Sequence, residues 1–252
     1  MEPLIPDPGD VHPLGCHRRR VPDRAVMKGI LFVLITGCQW RALDATGICN
    51  GATAHRRFQE WEAAGVFLRF WEEGLFEYDR VKGLKLEWLS MDGSITKAPL
   101  GGDATGPSPV DRSNGGTKRS LLVEEDGIPI GVEIAAAGKN DFRVFIETVV
   151  ATPLGPENLD GSNMCLDKGY DYPEIDGLCQ AFGFTAHIAR KGEAKHIMTK
   201  ASHKAKRWVV ERTFSWLNRF RAILIRWAKK GENYLAQLHL ALGIITWQGL
   251  LR

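Results

Sequence analysis

The order of hydrophobic and polar positions divides the chain into a helical beginning and a longer mixed part. Within about residues 20–80, apolar residues recur at helical spacing in three segments: AVMKGILFVLI, TAHRRFQEWEAAG and VFLRFWEEGLFEY. Thr53 is the expected N-cap of the second segment, and Gly37 and Gly65 are the expected ends of the first and second. We therefore predict a small helical N-terminal domain over residues 1–82.

After Leu84 the hydrophobic pattern becomes that of strands. KLEWLSMDG alternates and then breaks at Asp92-Gly93, and the Gly-, Pro- and Ser-rich stretch between Pro99 and Lys118 predicts a mobile loop. Two further strand-like runs, SLLVEE and IPIGVEIAAA, are joined by DG, a strong signal for a hairpin.

The remaining chain alternates helices and strands. A helix DFRVFIETVVA capped by Asn140 or Asp141, a strand NMCLD, a helix DYPEIDGLCQAFG and a strand FTAHIA precede two helices near residues 205–220 and 234–250. The order β-β-β-α-β-α-β-α predicts a mixed α/β sheet flanked by helices over residues 83–252. This is the order of the ribonuclease H-like fold, although order alone leaves several α/β folds open.

Composition excludes several classes of protein. No run approaches the roughly 18 apolar residues of a membrane span, and the opening MEPLIPDPGD is unlike a signal peptide because it carries three acids and three prolines. The five cysteines form no C-x-x-C pair, which argues against a zinc site or a disulfide framework. We expect a cytoplasmic protein with no membrane partner.

Charge is distributed unevenly along the chain. Residues 190–230 contain 13 Lys and Arg against two acids, whereas the rest of the chain contains 20 bases against 28 acids. A concentrated positive charge attracts a polyanion through counterion release, although such a run is often only a solvated face. DNA is the partner that we predict.

Three acids occupy positions where a catalytic group could lie. Asp92 ends the first predicted strand, Asp167 ends the fourth, and Glu211 lies inside a late helix within the basic stretch. Taken singly, they could form a turn, a strand end or cap, and an ion pair with Arg207. Taken together, carboxylates converging at one edge of a sheet would suit magnesium, which prefers oxygen ligands and activates water or a hydroxyl for phosphoryl transfer.

Four motifs resemble the DDE transposases of bacterial insertion sequences, most closely the branch called family five. These motifs are MDGS, DRSNGGTKRSLLVEEDGIPIGVEI, LDKGYD and RWVVERTFSWLNRFR, and the segment GCQWRAL…HRRFQEWEAAGVF resembles the helical leader of that branch. The resemblance covers about residues 20–252. It implies a ribonuclease H-like catalytic domain that cleaves and transfers DNA strands at the ends of an insertion sequence.

The resemblance also implies the site and the partners. Asp92, Asp167 and Glu211 would be the catalytic triad and would hold Mg²⁺, for which Mn²⁺ substitutes. The expected partners are terminal inverted repeats, target DNA and further copies of the chain, and the protein would associate with the nucleoid when it is bound to DNA.

The match around the glutamate is incomplete. The related signature has Tyr, two residues, Arg, three residues, Glu, six residues and Lys. Arg207 and Glu211 match, whereas Lys204 stands at the Tyr position, Asn218 stands at the Lys position and Arg219 follows it. Related chains usually carry a further helix before the PLIP-like segment, so the start at MEPLIP is consistent with a truncated reading frame.

We expect the helical domain of residues 1–82 to bind the DNA ends. Basic residues beside the three acids, and on the second N-terminal helix, are the predicted contacts to DNA phosphates. They are Arg56, Arg57, Lys168, Lys204, Lys206, Arg207, Arg212 and Arg219. An ordinary solvated face is an equally good interpretation of the Arg56-Arg57 pair. For Trp208 and Trp216, packing in the core is favoured over stacking on an unpaired base.

Two other functions remain open from the sequence. One is a metal-dependent nuclease or resolvase on the same fold, which cleaves without strand transfer. The other is a transposase-derived protein that binds DNA without catalysis, although the presence of all three acids argues against it.

The basic stretch generates a prediction about salt. If it follows a phosphate backbone, replacing Lys204, Lys206 and Arg212 by neutral residues should weaken DNA binding and flatten the dependence of log Kd on log salt by about one per lost phosphate contact. Binding titrations from low to physiological salt measure this slope. An unchanged slope would contradict the assignment.

Overall fold

A computed structural model describes residues 1–7, 20–188 and 208–251. Within these ranges the helices are α1 (Asp23–Thr36), α2 (Gly51–Ala63), α3 (Val66–Lys82), α4 (Asp141–Val150), α5 (Pro173–Ala181), α6 (Trp208–Leu217), α7 (Arg221–Leu224) and α8 (Gly231–Leu250). The strands are β1 (Trp88–Lys97), β2 (Gly106–Pro107), β3 (Gly115–Val123), β4 (Pro129–Ala136), β5 (Asn163–Leu166) and β6 (Thr185–Ile188). None of these helices combines the length and apolar content that a membrane crossing requires.

The three N-terminal helices form where the sequence predicts them. Gly37 ends α1 in the left-handed conformation, with φ of 69°, and Gly65 has φ of 70° between α2 and α3. The predicted cap of α2 is wrong. Asn50 is the N-cap, because its side chain accepts the backbone N–H of Thr53, which lies inside the first turn.

The N-terminal helices and the sheet share one hydrophobic core. Helix α3 packs along α8 and places the Trp71 indole against β4, where its Nε1 donates to the carbonyl of Pro129 at 3.1 Å. The indole of Trp247 on α8 donates in turn to the carbonyl of Phe70 at 3.2 Å. A Cβ at Gly74 would lie 2.8 Å from that indole nitrogen, so glycine permits the close approach of the two helices. The predicted division near residue 82 remains a prediction.

The six strands form one mixed sheet in the order β4-β3-β1-β5-β6, and the short β2 also pairs with β3. Strand β3 is antiparallel to β1 and β4, whereas β5 is parallel to β1 and β6. An antiparallel meander of β1, β3 and β4 followed by alternating helices and parallel strands is the predicted order, and helices cover the sheet, so the predicted ribonuclease H-like α/β fold is confirmed.

The loop predicted between Pro99 and Lys118 is too long. It contains β2, which pairs with the start of β3 at Gly106 and Gly116. A Cβ at Gly116 would lie 3.2 Å from the side chains of both Ile95 and Ala137, so this glycine lets neighbouring segments approach closely. Glycines that suggest a loop in the sequence therefore serve strand packing here.

The position of Asp92 also corrects the sequence prediction. Asp92-Gly93 is not a turn, because β1 continues to Lys97 and pairs with β3 from Ser90 to its end. The neighbouring strand β5 stops at Leu166. Asp92 therefore lies inside its own strand, at the level where the adjacent strand ends.

The predicted hairpin at Asp126-Gly127 is confirmed, and a buried carboxylate organises it. Gly127 has φ of 83°, and the Glu124 side chain accepts the backbone N–H groups of Asp126, Ile128 and Lys85. Only 1% of Glu124 is exposed. Burial raises the pKa of this carboxyl from 4.5 to about 7.

This shift predicts a pH-dependent stability. The folded protein retains the Glu124 proton to higher pH than the unfolded chain, so stability should fall as pH rises from about 5 to 7, by up to roughly 3 kcal/mol. Glu124→Gln should reduce this dependence, whereas Glu157→Gln, at an exposed acid, should not. Urea unfolding at several pH values measures the difference, and equal slopes in the two variants would refute the prediction.

Candidate active site

Strand pairing brings Asp92 and Asp167 to the same edge of the sheet. The parallel register joins Trp88 to Asn163 and Ser90 to Cys165, and its continuation by two residues sets Asp92 beside Asp167. Directly paired residues of adjacent strands face the same side of a sheet, and neighbouring strands lie about 4.8 Å apart. The two carboxylates therefore leave the backbone side by side.

The local backbone around each acid is fixed by its own side chain. Asp167 is extended, with φ of −81° and ψ of 177°, and its Oδ1 accepts the backbone N–H of Gly169 at 2.6 Å. This bond caps the short 3-10 turn Lys168–Tyr170. Asp92 accepts the backbone N–H of Gly93 at 2.7 Å. Both acids are half-buried, so each keeps a route to a ligand.

Helix α6, which carries Glu211, covers the face of the sheet from which Asp92 projects. The helix packs on β1 and β3. Phe214 of the helix and Asn218, which directly follows the helix, both contact Arg119. Arg119 is paired across the strands with Ser94, which faces the same side as Asp92. Glu211 is exposed and lies on the same helical stripe as Phe214 and Asn218.

The structure brings the two aspartates together and places the glutamate on the helix above their face. In residues 1–7, 20–188 and 208–251, no three His, Cys, Asp or Glu side chains lie close enough to hold a metal ion. The predicted three-carboxylate metal site is therefore not preformed in this part of the chain. Its assembly from Asp92, Asp167 and Glu211 remains a prediction.

A third aspartate near the edge was not identified as a site residue from the sequence. The pKa of the buried Tyr170 is raised by burial and then by the charges of Asp141, Asp92 and Asp167. Asp141 is the first residue of α4, and its Oδ1 accepts a bond of 2.5 Å from Nζ of Lys118. The sequence suggested only a capping role for Asp141, because its proximity to the edge depends on how α4 packs on the sheet.

Among the predicted DNA contacts, the Arg56-Arg57 pair requires a correction. Arg57 is 0% exposed, with its guanidinium beside Asp23 and Glu60 and 5.1 Å from the centre of the Trp61 ring. Its assignment to DNA is wrong, because α2 turns this side chain toward α1. Arg56 is exposed and pairs with Glu60 at 2.6 Å.

The other predicted DNA contacts are divided between surface and undescribed positions. Lys168 and Arg219 are exposed and remain candidates, Lys168 directly after Asp167 and Arg219 shortly after α6. Three further candidates lie outside the described residues. These are Lys204, Lys206 and Arg207.

Arg212 lies between two indole rings on α6. Its guanidinium is 4.6 Å from the centre of the Trp208 ring and 4.8 Å from that of Trp216, and Nη2 donates to the carbonyl of Asp126 at 2.5 Å. Trp208 is 55% exposed, so its expected packing in the core is wrong, whereas Trp216 packs partly against the core. An arginine between one exposed and one partly buried indole ring remains a candidate contact to nucleic acid.

Comparison with known families identifies the class. Residues 85–247 match the family model described as "Transposase DDE domain". This match covers more than half of the chain, and the chain therefore belongs to the DDE transposases, which are enzymes that act on DNA. Residues 1–71 match a second model, described as "Putative transposase of IS4/5 family", so the relationship is to transposases of bacterial insertion sequences.

Two curated relatives from Burkholderia cepacia support the same assignment. The "Putative transposase for insertion sequence element IS402" is 29% identical over 153 residues, which are 59% of this chain and 71% of the relative. The "Insertion element IS402 uncharacterized 16.2 kDa protein" is 36% identical over 110 residues, which are 43% of this chain and 75% of the relative. The resemblance noted in the sequence motifs is thus confirmed.

Solved structures show only a distant likeness. A pre-cleavage Mos1 transpososome is 12% identical, with a TM-score of 0.30 over 92% of this chain and 80% of that chain. The catalytic domain of Mos1 mariner transposase is 11% identical, with a TM-score of 0.29 over 73% of this chain and 91% of that chain. Likeness at this level assigns no residue roles.

The different environments of Arg56 and Arg57 predict different consequences of substitution. Arg57→Met should lower the free energy of unfolding by about 1.5–3 kcal/mol, because it removes the charged hydrogen bond and ion pairs of a buried guanidinium, although the acids it leaves are about a third exposed. Arg56→Met should lower it by at most about 1 kcal/mol, since an exposed ion pair stabilises little. Urea denaturation measures both. Similar losses in the two variants would contradict the structural role of Arg57.

Proposed function

We propose that this transposase cleaves DNA at the ends of an insertion sequence and transfers the freed strands, with Asp92, Asp167 and Glu211 holding divalent metal. One observation carries the proposal: Asp92 and Asp167 are neighbours across the β1–β5 pair, on the face covered by the helix of Glu211. Two carboxylates at this spacing repel each other unless a cation or a proton lies between them.

The donor atoms suit magnesium, for which manganese would substitute. Mg²⁺ prefers oxygen ligands and commonly uses one or two protein carboxylates, with water and substrate phosphate oxygens in the remaining positions. Glycine follows closely after each aspartate, at Gly93 and Gly169, and a Cβ at Gly169 would lie 2.8 Å from Oδ1 of Asp167. When bound, such ions would activate a water or a 3′-hydroxyl and stabilise the leaving oxygen.

The protein's own residues would then bind and orient the DNA backbone. Lys168 is exposed directly after Asp167, so its ammonium could hold a phosphate next to the scissile one. Arg219 and Arg212 could extend this contact along α6. In-line displacement needs no nucleophilic side chain, which agrees with a site that consists of carboxylates and bases.

The proposed partners follow from the reaction. Strand transfer requires terminal inverted repeats and target DNA, and holding two ends together favours a homo-oligomer on the DNA. The expected location is the cytoplasm, on the nucleoid when the protein is bound to DNA.

Substitution of Glu211 separates catalysis from binding. Glu211→Gln keeps the side-chain volume but removes the charge that would hold a cation, so cleavage should fall by at least about 100-fold while DNA binding persists or strengthens. Its cost in stability should stay within about 0.5 kcal/mol, as for an exposed helix position. Glu73→Gln, at an exposed glutamate inside α3, is the matched control and should cleave normally.

The experiment is a cleavage and joining assay on labelled element ends with Mg²⁺, beside a gel-shift titration of the same protein. Cleavage by Glu211→Gln at the parent rate would make Glu211 structural. Cleavage without joining in the parent protein would indicate a nuclease or resolvase. Binding of the ends without magnesium-dependent cleavage would indicate a non-catalytic DNA-binding protein.

A further inference from the structure

Arg119 is a buried cation at the junction of β3, β1 and α6. It is 2% exposed, and its guanidinium donates to Oγ of Ser94 at 3.2 Å and to Oδ1 of Asn218 at 3.3 Å. It also lies 5.6 Å from the centre of the Phe214 ring. Its Nε has no hydrogen-bond partner in the part of the chain that the structure describes.

The other buried arginines in the described ranges have different partners. Arg57 lies beside two carboxylates, and Arg226 donates to Oγ of Thr117 and to three backbone carbonyls. Among the residues that the structure describes, the side chains that accept from Arg119 are the neutral Ser94 and Asn218. A buried charge with neutral partners costs stability, so what Arg119 contributes is the connection that its hydrogen bonds make.

The hydrogen bonds of Arg119 to Ser94 and Asn218 connect the strand of Asp92 to the end of the helix that carries Glu211. Ser94 lies two residues after Asp92 and faces the same side of β1. Asn218 follows α6 and lies seven residues after Glu211, which is about two helical turns along the same stripe. A rigid guanidinium fork therefore links the Asp92 face to the Glu211 helix.

We propose that Arg119 is a positioning residue that sets the separation of α6 from β1 and so places Glu211 opposite Asp92 and Asp167. This inference rests on the proposed function of the three acids. Because Arg119 is buried, it does not contact DNA directly. The inference also gives Asn218 a role, because its side-chain oxygen accepts hydrogen bonds from Arg119. The related signature has lysine at the position of Asn218.

The test uses the full-length protein and two readouts. Manganese binding to the free protein is measured by electron paramagnetic resonance, and the Mg²⁺ concentration for half-maximal cleavage is measured on labelled ends. Asn218→Ala should weaken Mn²⁺ binding and raise the Mg²⁺ requirement, each by about 10- to 100-fold, as for residues that orient metal ligands. Arg119→Gln should have the same effect, and the double variant should add little, since both changes remove one contact.

Ser215→Ala is the matched control. It removes an exposed hydroxyl of α6 that donates only to the carbonyl of Glu211, and both readouts should match those of the parent. If Arg119→Gln does not fold, half-buried Asn218 carries the test alone. Parent-like Mn²⁺ affinity and Mg²⁺ requirement in Asn218→Ala would overturn the inference. It would also be overturned if Ser215→Ala lost as much Mn²⁺ affinity as Asn218→Ala.

The two readouts separate this inference from the proposed function. A parent protein that binds Mn²⁺ but does not cleave DNA would remove the proposed function, while the Mn²⁺ comparison would still decide the role of Arg119. A parent that neither binds Mn²⁺ nor cleaves DNA would overturn both. A parent that cleaves, with variants that are unaffected, would overturn the role of Arg119 alone.

Discussion

The parallel pairing of β1 with β5 is the constraint on which the site depends. Hydrogen bonds between these strands hold two like charges one strand spacing apart, in a position that electrostatics alone would not favour. Burial of apolar side chains on the opposite face of the two strands offsets this repulsion. The side chains that are buried there are Leu89, Met91, Met164 and Leu166. The buried apolar face therefore stabilises the strand pairing that holds Asp92 beside Asp167.

Helix α6 is fixed relative to the sheet from two sides. On one side Thr213 Oγ donates to the carbonyl of Gly127 and Arg212 donates to that of Asp126, so the β3–β4 turn holds the helix. On the other side Arg119 of β3 donates both to Asn218, directly after the helix, and to Ser94 of β1. Glu211 lies near the start of this doubly anchored helix, and a rigid helix is a more accurate support for a metal ligand than a loop.

The sequence predicts those features that depend on local periodicity and turn chemistry. The order of strands and helices, the hairpin at Asp126-Gly127 and the left-handed end of α1 at Gly37 are of this kind. The adjacency of Asp92 and Asp167 was expected from their strand positions, but the location of Asp92 inside its strand was not. Its strand continues because distant β3 residues pair with it, and no local signal reports that pairing.

Features that depend on distant partners could not be predicted from the sequence. Arg56 and Arg57 are adjacent, identical residues in the sequence. Arg57 is buried because α1 packs beside it. Arg119 likewise lies directly before the strand-like run SLLVEE, and nothing in the sequence indicates its contact with Asn218. A buried arginine is recognised only after the elements that surround it are in place.

The pairing of α3 with α8 has a consequence for how the chain reaches its folded state. These helices lie far apart in sequence, with the whole sheet between them, so a large loop must close before their indole contacts form. During synthesis, the face of α3 that packs on α8 has no partner until α8 leaves the ribosome. Premature termination anywhere in the sheet would therefore leave the N-terminal helices with exposed apolar surface, which makes such fragments prone to aggregation and proteolysis.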